Sequence, residues 1–150
     1  VRAASESPIA YATRLAISKA ATGPADLVVV AADTVVHMAD KVYEKPVNRR
    51  DGARILGSLS GRWHQVTTGV CVRLGPDQHA FHVTTEVRFR ALQREEIDAY
   101  LATGEADDKA GAYGIQGLGG ALVAEVRGSW TNVMGLPIEE TLAAIERVKT

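Results

Sequence analysis

Asp33 closes an apolar run, Leu27 to Ala32. A carboxylate directly after such a run stands at the carboxyl edge of a buried strand, where α/β proteins place ligand groups. Taken alone, Asp33 reads equally as a turn or helix-capping aspartate. Its company shifts the balance: Lys19 ends the first helical stretch, Lys45 follows in Glu44-Lys45-Pro46, and Asp108-Lys109 opens a glycine-rich loop. A carboxylate with several lysines is the set a metal-bound polyphosphate needs. Oxygen ligands suit Mg²⁺ or Mn²⁺, and ammonium groups offset phosphate charge as point charges. Any one of these lysines alone is a solvated surface charge, as most of the 17 Lys and Arg residues are.

The loop from Asp108 to Gly120 is the strongest local signal. Five glycines fall between residues 111 and 120, which lets the backbone approach a ligand closely and take positive φ. Gly114-Ile115-Gln116-Gly117 sets one amide among them, able to read a base edge or position a water. The context is neither that of a dinucleotide fingerprint nor that of a P-loop, so on spacing alone a flexible connector explains it as well. Other chemistries find less support. His37, His64, His79 and His82 show no paired metal-ligand spacing, and residues three apart on a strand, such as His79 and His82, face opposite ways. Cys71 sits in an apolar run and reads as inert core. There is no nucleophile elbow. Aromatic residues make up 5% of the chain and do not interleave with a basic stripe, which leaves no stacking platform for single-stranded nucleic acid.

The elements that must hold these residues are legible from periodicity. Ser7-Pro8 caps a helix that carries Tyr11, Ala12, Leu15 and Ala16 at helical spacing to about Ala20, before Gly23-Pro24. Leu27 to Ala32 reads as a strand buried on both faces and ending on Asp33-Thr34; Val35-Val36 resumes the run, and Asp40-Lys41 makes a hairpin-like turn. Asn48 caps a second helix to about Leu59, with Gly61 as its terminating glycine. Trp63–Leu74 and Ala80–Phe89 are strands joined by Gly75-Pro76-Asp77; in the second, Thr85 breaks an otherwise polar-apolar alternation. A helix spans Glu95–Thr103, a strand Ala121–Val126, a turn-rich segment the stretch from Gly128, and a last helix runs from Pro137 to about Lys149. The expectation is one α/β (mixed α+β) domain over residues 1–150.

Composition excludes several classes. With 17 basic and 18 acidic residues the net charge is −1, which does not suit a binder of nucleic acid polymers. At 46% hydrophobic and 23% charged, the chain is built to fold. The single cysteine removes a disulfide framework and favours a cytoplasmic setting. No apolar run approaches the roughly 20 residues of a membrane span, and no signal-peptide pattern opens the sequence.

Taken in order, the motifs resemble the Maf proteins, nucleoside triphosphate pyrophosphatases with a fold similar to inosine triphosphate pyrophosphatase. The residues that carry the resemblance are Arg14-Leu15-Ala16 to Lys19-Ala20, ADTVV (32–36), EKP (44–46), LSG (59–61) and HQVTTGV (64–70). They continue through Phe89, Glu96-Ile97, DKAGAYGIQG (108–117), Gly128-Ser129 and NVMGLP (132–137). The resemblance implies a central mixed sheet flanked by helices. It also implies metal-dependent hydrolysis, with Mg²⁺ or Mn²⁺, of a nucleoside triphosphate to monophosphate and pyrophosphate. Asp33 is then similar to the family's catalytic or metal-associated carboxylate, base and metal ligand both remaining open. Lys19 and Lys45 resemble its phosphate-contacting lysines; Gln116 with Thr34, Asp108 and Lys109 are the substrate-binding candidates. The DKAG-then-YGIQG form resembles the branch acting on dTTP, UTP and some modified pyrimidine nucleotides. The family further implies a cytoplasmic protein, often a homodimer, linked to septum formation and to removal of non-standard nucleotides.

The resemblance also implies an earlier strand, a Ser-x-Ser-Pro-Arg-Arg loop and an acidic segment ahead of Val1. Ser5-Glu6-Ser7-Pro8 is not that loop, because its place before Tyr11 and Leu15 matches a later helix start. The expectation is therefore an N-terminally incomplete domain that is weakly active and marginally stable by itself. Two other readings compete with an enzyme: a nucleotide-binding or regulatory remnant that no longer hydrolyses, and an interaction module without a ligand. The third has no account of Asp33, Lys45 and residues 108–117 occurring together in order.

Overall fold

The computed structural model describes residues 2–150. Its elements are α1 (Pro8–Ala20), β1 (Val28–Met38), β2 (Lys41–Tyr43), α2 (Arg49–Leu59), β3 (Trp63–Leu74), β4 (Asp77–Phe89), α3 (Arg94–Ala102), β5 (Val123–Arg127), α4 (Trp130–Met134) and α5 (Ile138–Lys149). The five strands form one sheet in the order β2-β1-β3-β4-β5, with antiparallel pairing of β1 to β2 and of β4 to β5. The α/β expectation holds. The chain divides into two compact units: residues up to Thr34 with Thr67–Thr84 and Ser129–Thr150, and Val35–Val66 with Thr85–Gly128. Strands β1, β3 and β4 contribute residues to both.

In the first unit, Ser7 Oγ accepts from the Ala10 amide (3.1 Å) and Pro8 opens α1, as the sequence predicts. The alternation of β3 then sorts the core. Cys71 turns to Ala16 and Ala20 of α1, with Val29, Ala31 and Ala80 around them. Val70 and Val72 turn to Ala144 and Val148 of α5, with Ala32, Leu74 and Phe81 around them. A helix covers each face, which is why Val70, Cys71 and Val72 are apolar in succession. Gly69 lies on the α1 side, where a Cβ would stand 2.5 Å from the Ala12 carbonyl, so the helix approaches the strand through that glycine.

The second unit packs α2 against α3 and the turns that follow it. Ile55, Leu56, Leu59, Ile97 and Leu101 are buried there. Asn48 Oδ1 caps α2 by accepting from Asp51 N at 2.8 Å. A cluster of His64, Phe89 and Tyr113 packs edge to face, with ring centroids 4.7–5.5 Å apart. Thr85, the exception in the alternation of β4, falls on the buried face.

Three readings need correction. The apolar run does not end at Asp33: β1 continues through it to Met38, so Asp33 lies in mid-strand and not at a strand's carboxyl edge. Nor is the run buried on both faces, since Leu27, Val28 and Val30 are 58%, 38% and 41% exposed. The reason is that β2 pairs only with Val36–Met38, which leaves the earlier part of β1 at the rim of the sheet among the described residues. Third, the segment after Gly128 contains a short helix, α4, capped by Ser129 Oγ accepting from Asn132 N at 3.1 Å.

Candidate active site

Each candidate residue is positioned within its own unit. In the first, Asp33 projects from β1 and its Oδ1 accepts from Lys19 Nζ at 2.5 Å. Lys19 sits in the last turn of α1, where a cation complements the helix dipole, and also donates to the Ala32 carbonyl at 3.3 Å. The Lys19 side chain is 53% exposed and that of Asp33 21%, so the pair is reachable from solvent. Thr34 is drawn into the scaffold: its Oγ1 lies 2.8 Å from Thr68 Oγ1 and 3.4 Å from the Gly135 carbonyl, while Thr68 donates to the Asn132 carbonyl at 3.3 Å. These hydroxyls tie β1 and β3 to the NVMGLP segment.

In the second unit, Lys45 follows β2 and is exposed. The neighbouring Glu44 carbonyl accepts from Gly111 N at 3.3 Å, which brings the EKP segment against the glycine loop. Gly111 has φ +74°, and a Cβ there would meet Val36 Cγ1 at 2.8 Å, so both conformation and space require glycine. Asp108 closes a short 3₁₀ turn, Glu105–Asp108, and its carboxylate lies 4.0 Å from Lys109 Nζ. Gln116 stands exposed between two more such turns, Ala110–Ala112 and Leu118–Leu122. The loop is therefore ordered rather than a flexible connector. Neither Lys45 nor Gln116 has a side-chain partner among the described residues.

Behind Gln116 the polar groups turn inward. Glu105 Oε1 accepts from Tyr100 Oη (2.8 Å) and Gly119 N (3.0 Å), and Oε2 accepts from Leu118 N (3.0 Å). Tyr100 Oη in turn accepts from Gly114 N at 3.1 Å. Burial would raise the Glu105 carboxyl, but the hydrogen bonds from Tyr100, Gly119 and Leu118, with the charge of Lys109, hold it below its ordinary value. Burial drives both tyrosine hydroxyls, Tyr100 and Tyr113, above theirs. His64 Nε2 is 2.7 Å from Tyr113 Oη, and His64 Nδ1 is buried without a partner. Burial first, and the charge of His37 second, lower His64 to about 4; a neutral imidazole is the form such a setting tolerates.

A family model for Maf-like proteins matches residues 2–148. The chain belongs to the Maf family. Curated relatives are named dTTP/UTP pyrophosphatase. That of Vibrio cholerae serotype O1 is 49% identical over 144 residues, which is 93% of this chain and 77% of the relative. That of Anaeromyxobacter dehalogenans strain 2CP-C is 51% identical over 147 residues, 95% and 75%. That of the archaeon Thermococcus kodakarensis is 51% identical over 111 residues, 74% and 59%.

In this Maf chain, the candidate residues named from the sequence lie on the accessible side, and the residues bonded behind Gln116 were not among them. Tyr100 and Glu105 lay outside every motif, and His64 and Tyr113 lay inside two of them without a role of their own. The only available signal was that Gly114, Gly117 and Gly119 needed something to be close to. Among the described residues, no three His, Cys, Asp or Glu side chains converge as a metal cage. Asp33 with its single carboxylate fits Mg²⁺ or Mn²⁺ only as ions carried by a polyphosphate, which need one or two protein carboxylates and keep several waters. A cavity of about 540 Å³ lies between α2 and α3, lined by Arg50, Arg54, Arg94, Leu92 and Ile97 among others, and no candidate residue lines it. No helix among the described residues is long and apolar enough to cross a membrane.

Proposed function

We propose that residues 1–150 form one pyrophosphatase domain that hydrolyses dTTP or UTP to the monophosphate and pyrophosphate. The observation that carries the reading is the Lys19–Asp33 pair, 2.5 Å apart and open to solvent, in a Maf chain 49–51% identical to relatives named for that activity. Hydrolysis at the α-phosphorus asks little covalent chemistry of a protein: a water held in line, and charge neutralised as pyrophosphate leaves. Asp33 takes the water's proton on a carboxylate oxygen or holds the cation, and Lys19 fixes the carboxylate's direction. The chemistry that Mg²⁺ or Mn²⁺ supplies on a triphosphate is neutralisation of phosphate charge. Lys45 and Lys109, both exposed, offset the charge that builds on the leaving group, and Asp108 sets the place of Lys109. Thr34, the next residue of β1, is the remaining substrate-binding candidate, its hydroxyl 2.8 Å from Thr68 Oγ1. The Gln116 amide presents a donor and an acceptor side by side, matching the N3–H and O4 of thymine or uracil. The same reading carries a homodimer in the cytoplasm, a setting in keeping with one buried thiol, Cys71.

The test is pyrophosphate release with Mg²⁺ or Mn²⁺ from dTTP, UTP, CTP, ATP, GTP and 7-methyl-GTP. Turnover of dTTP and UTP is expected, falling by about a hundredfold or more in Asp33→Asn, on the scale of losing an acid-base group. Nucleotide binding without pyrophosphate release would leave the binding-only remnant as the better description. Turnover confined to purine nucleotides would refute the pyrimidine assignment.

A further inference from the structure

We propose that Glu105 is a positioning residue for nucleobase recognition, acting through the loop that carries Gln116. This rests on the pyrophosphatase reading above and deepens it. The loop Gly114–Gly119 is clamped at both ends by one pair of side chains. Gly114 N donates to Tyr100 Oη, Tyr100 Oη donates to Glu105 Oε1, and Gly119 N closes the ring by donating to the same carboxylate oxygen. Leu118 N adds a third anchor on Oε2. Gln116 sits midway between the clamped ends, exposed and without a partner among the described residues.

The glycines of this segment are explained by the clasp rather than by a ligand. A Cβ at Gly117 would collide with Glu105 Oε2, and one at Gly119 with the Gly114 carbonyl and, at 2.8 Å, with Tyr100 Oη. A Cβ at Gly114 would press on Lys109 Cε at 3.1 Å. A carboxylate that accepts several hydrogen bonds from backbone and hydroxyl groups is a rigid support, because charge-assisted bonds are short and strong. What it supports is a six-residue loop with one reactive amide. Fixing that amide before the base arrives lowers the ordering cost of binding, and the benefit goes to the base alone, not to the triphosphate.

That distinction gives the test. Wild type, Glu105→Ala and Glu105→Gln would be compared by amide hydrogen exchange, and by calorimetric binding of two probes. The probes are dTTP with a methylene in place of the α,β-bridging oxygen, and inorganic tripolyphosphate, which has no base. In Glu105→Ala, protection of Gly114, Leu118 and Gly119 should fall while other amides hold. Affinity for the dTTP analogue should drop about tenfold, the scale of losing a charged hydrogen-bond anchor, with tripolyphosphate affinity not weakened, since losing the Glu105 charge only frees Lys109. Glu105→Gln keeps one carbonyl acceptor for Tyr100 and Gly119 and should recover part of both losses. In hydrolysis the loss should fall on KM for dTTP, with kcat little changed. Equal weakening toward both probes, or none toward either, would overturn the inference. So would protection lost throughout the chain in both variants. Wild type that binds tripolyphosphate but not the dTTP analogue would overturn the pyrophosphatase reading and this inference with it, and the exchange data distinguish that result from a clasp that never forms.

Discussion

At Asp33 the chain leaves opposite charges 2.5 Å apart within reach of water, whereas around Tyr100, Glu105 and Gly119 polar groups bond to one another. The first arrangement costs little to build and little to disturb, because solvent screens an exposed ion pair and its net contribution is small. The second is dry. His64, Tyr113 and Tyr100 are buried, and their hydrogen bonds stand in for water that is no longer there, so removing one partner strands the other. The two regions therefore separate by measurement: chemistry should be sensitive to the open pair, stability to the closed network.

The largest stability effect should come from acid. His64 is held at about 4 in the folded chain against an ordinary 6.5, so the unfolded chain takes up a proton that the folded one refuses. The neutral-His64 contribution is intact above pH 6.5 and is lost progressively as pH falls toward 4, by about 3 kcal/mol in all. Urea midpoints measured from pH 7.5 to 4.5 should reveal it as a slope of roughly one proton. Glu6, Asp51, Glu96 and Glu105 also sit below their ordinary values, but those ordinary values are 3.8–4.5, so their acid losses begin lower. A flat profile in that window would mean that His64 reaches water when folded.

What the sequence disclosed follows the same division. Capped helices such as α1 and α2 were readable because Ser7, Pro8 and Asn48 act within a few residues of where they stand. Asp33 stood out by the company of Lys19 and Lys45, and Gln116 by the glycines around it. The extent of β1 was not, because Asp33-Thr34 looks like a stop when the interactions that hold it in a strand, Lys19 from α1 and Thr68 from β3, are distant in sequence. Glu105 was missed, and His64 was given no role, for the same reason. Each matters through partners that only the fold brings near, Leu118 and Gly119 for one and Tyr113 for the other.

A smaller effect isolates one bond of the closed network. Tyr113→Phe removes the hydroxyl 2.7 Å from His64 Nε2 and leaves a buried imidazole with neither nitrogen paired. The expected cost is about 2 kcal/mol in urea unfolding at pH 7.5. The double variant His64→Phe, Tyr113→Phe should recover part of it, since removing both polar partners removes the stranded group. It should also flatten the acid slope between pH 6.5 and 5. A double variant no more stable than Tyr113→Phe would show that shape, not hydrogen bonding, sets the cost.

The smallest stability effect belongs to the open pair. Asp33→Asn keeps the shape of the side chain and leaves Lys19, already 53% exposed, free to hydrate. Nothing buried is stranded, so unfolding free energy should change by no more than about 1 kcal/mol, and Lys19→Met should behave alike apart from a small loss at the end of α1. Both variants should nonetheless depress pyrophosphate release, so activity and stability part company at this pair as they do not at His64. The comparison breaks if Asp33→Asn costs more than about 2 kcal/mol, the range of a stranded buried group. Asp33 would then be holding β1 to α1 as a structural strut, and its loss of activity would say nothing about chemistry.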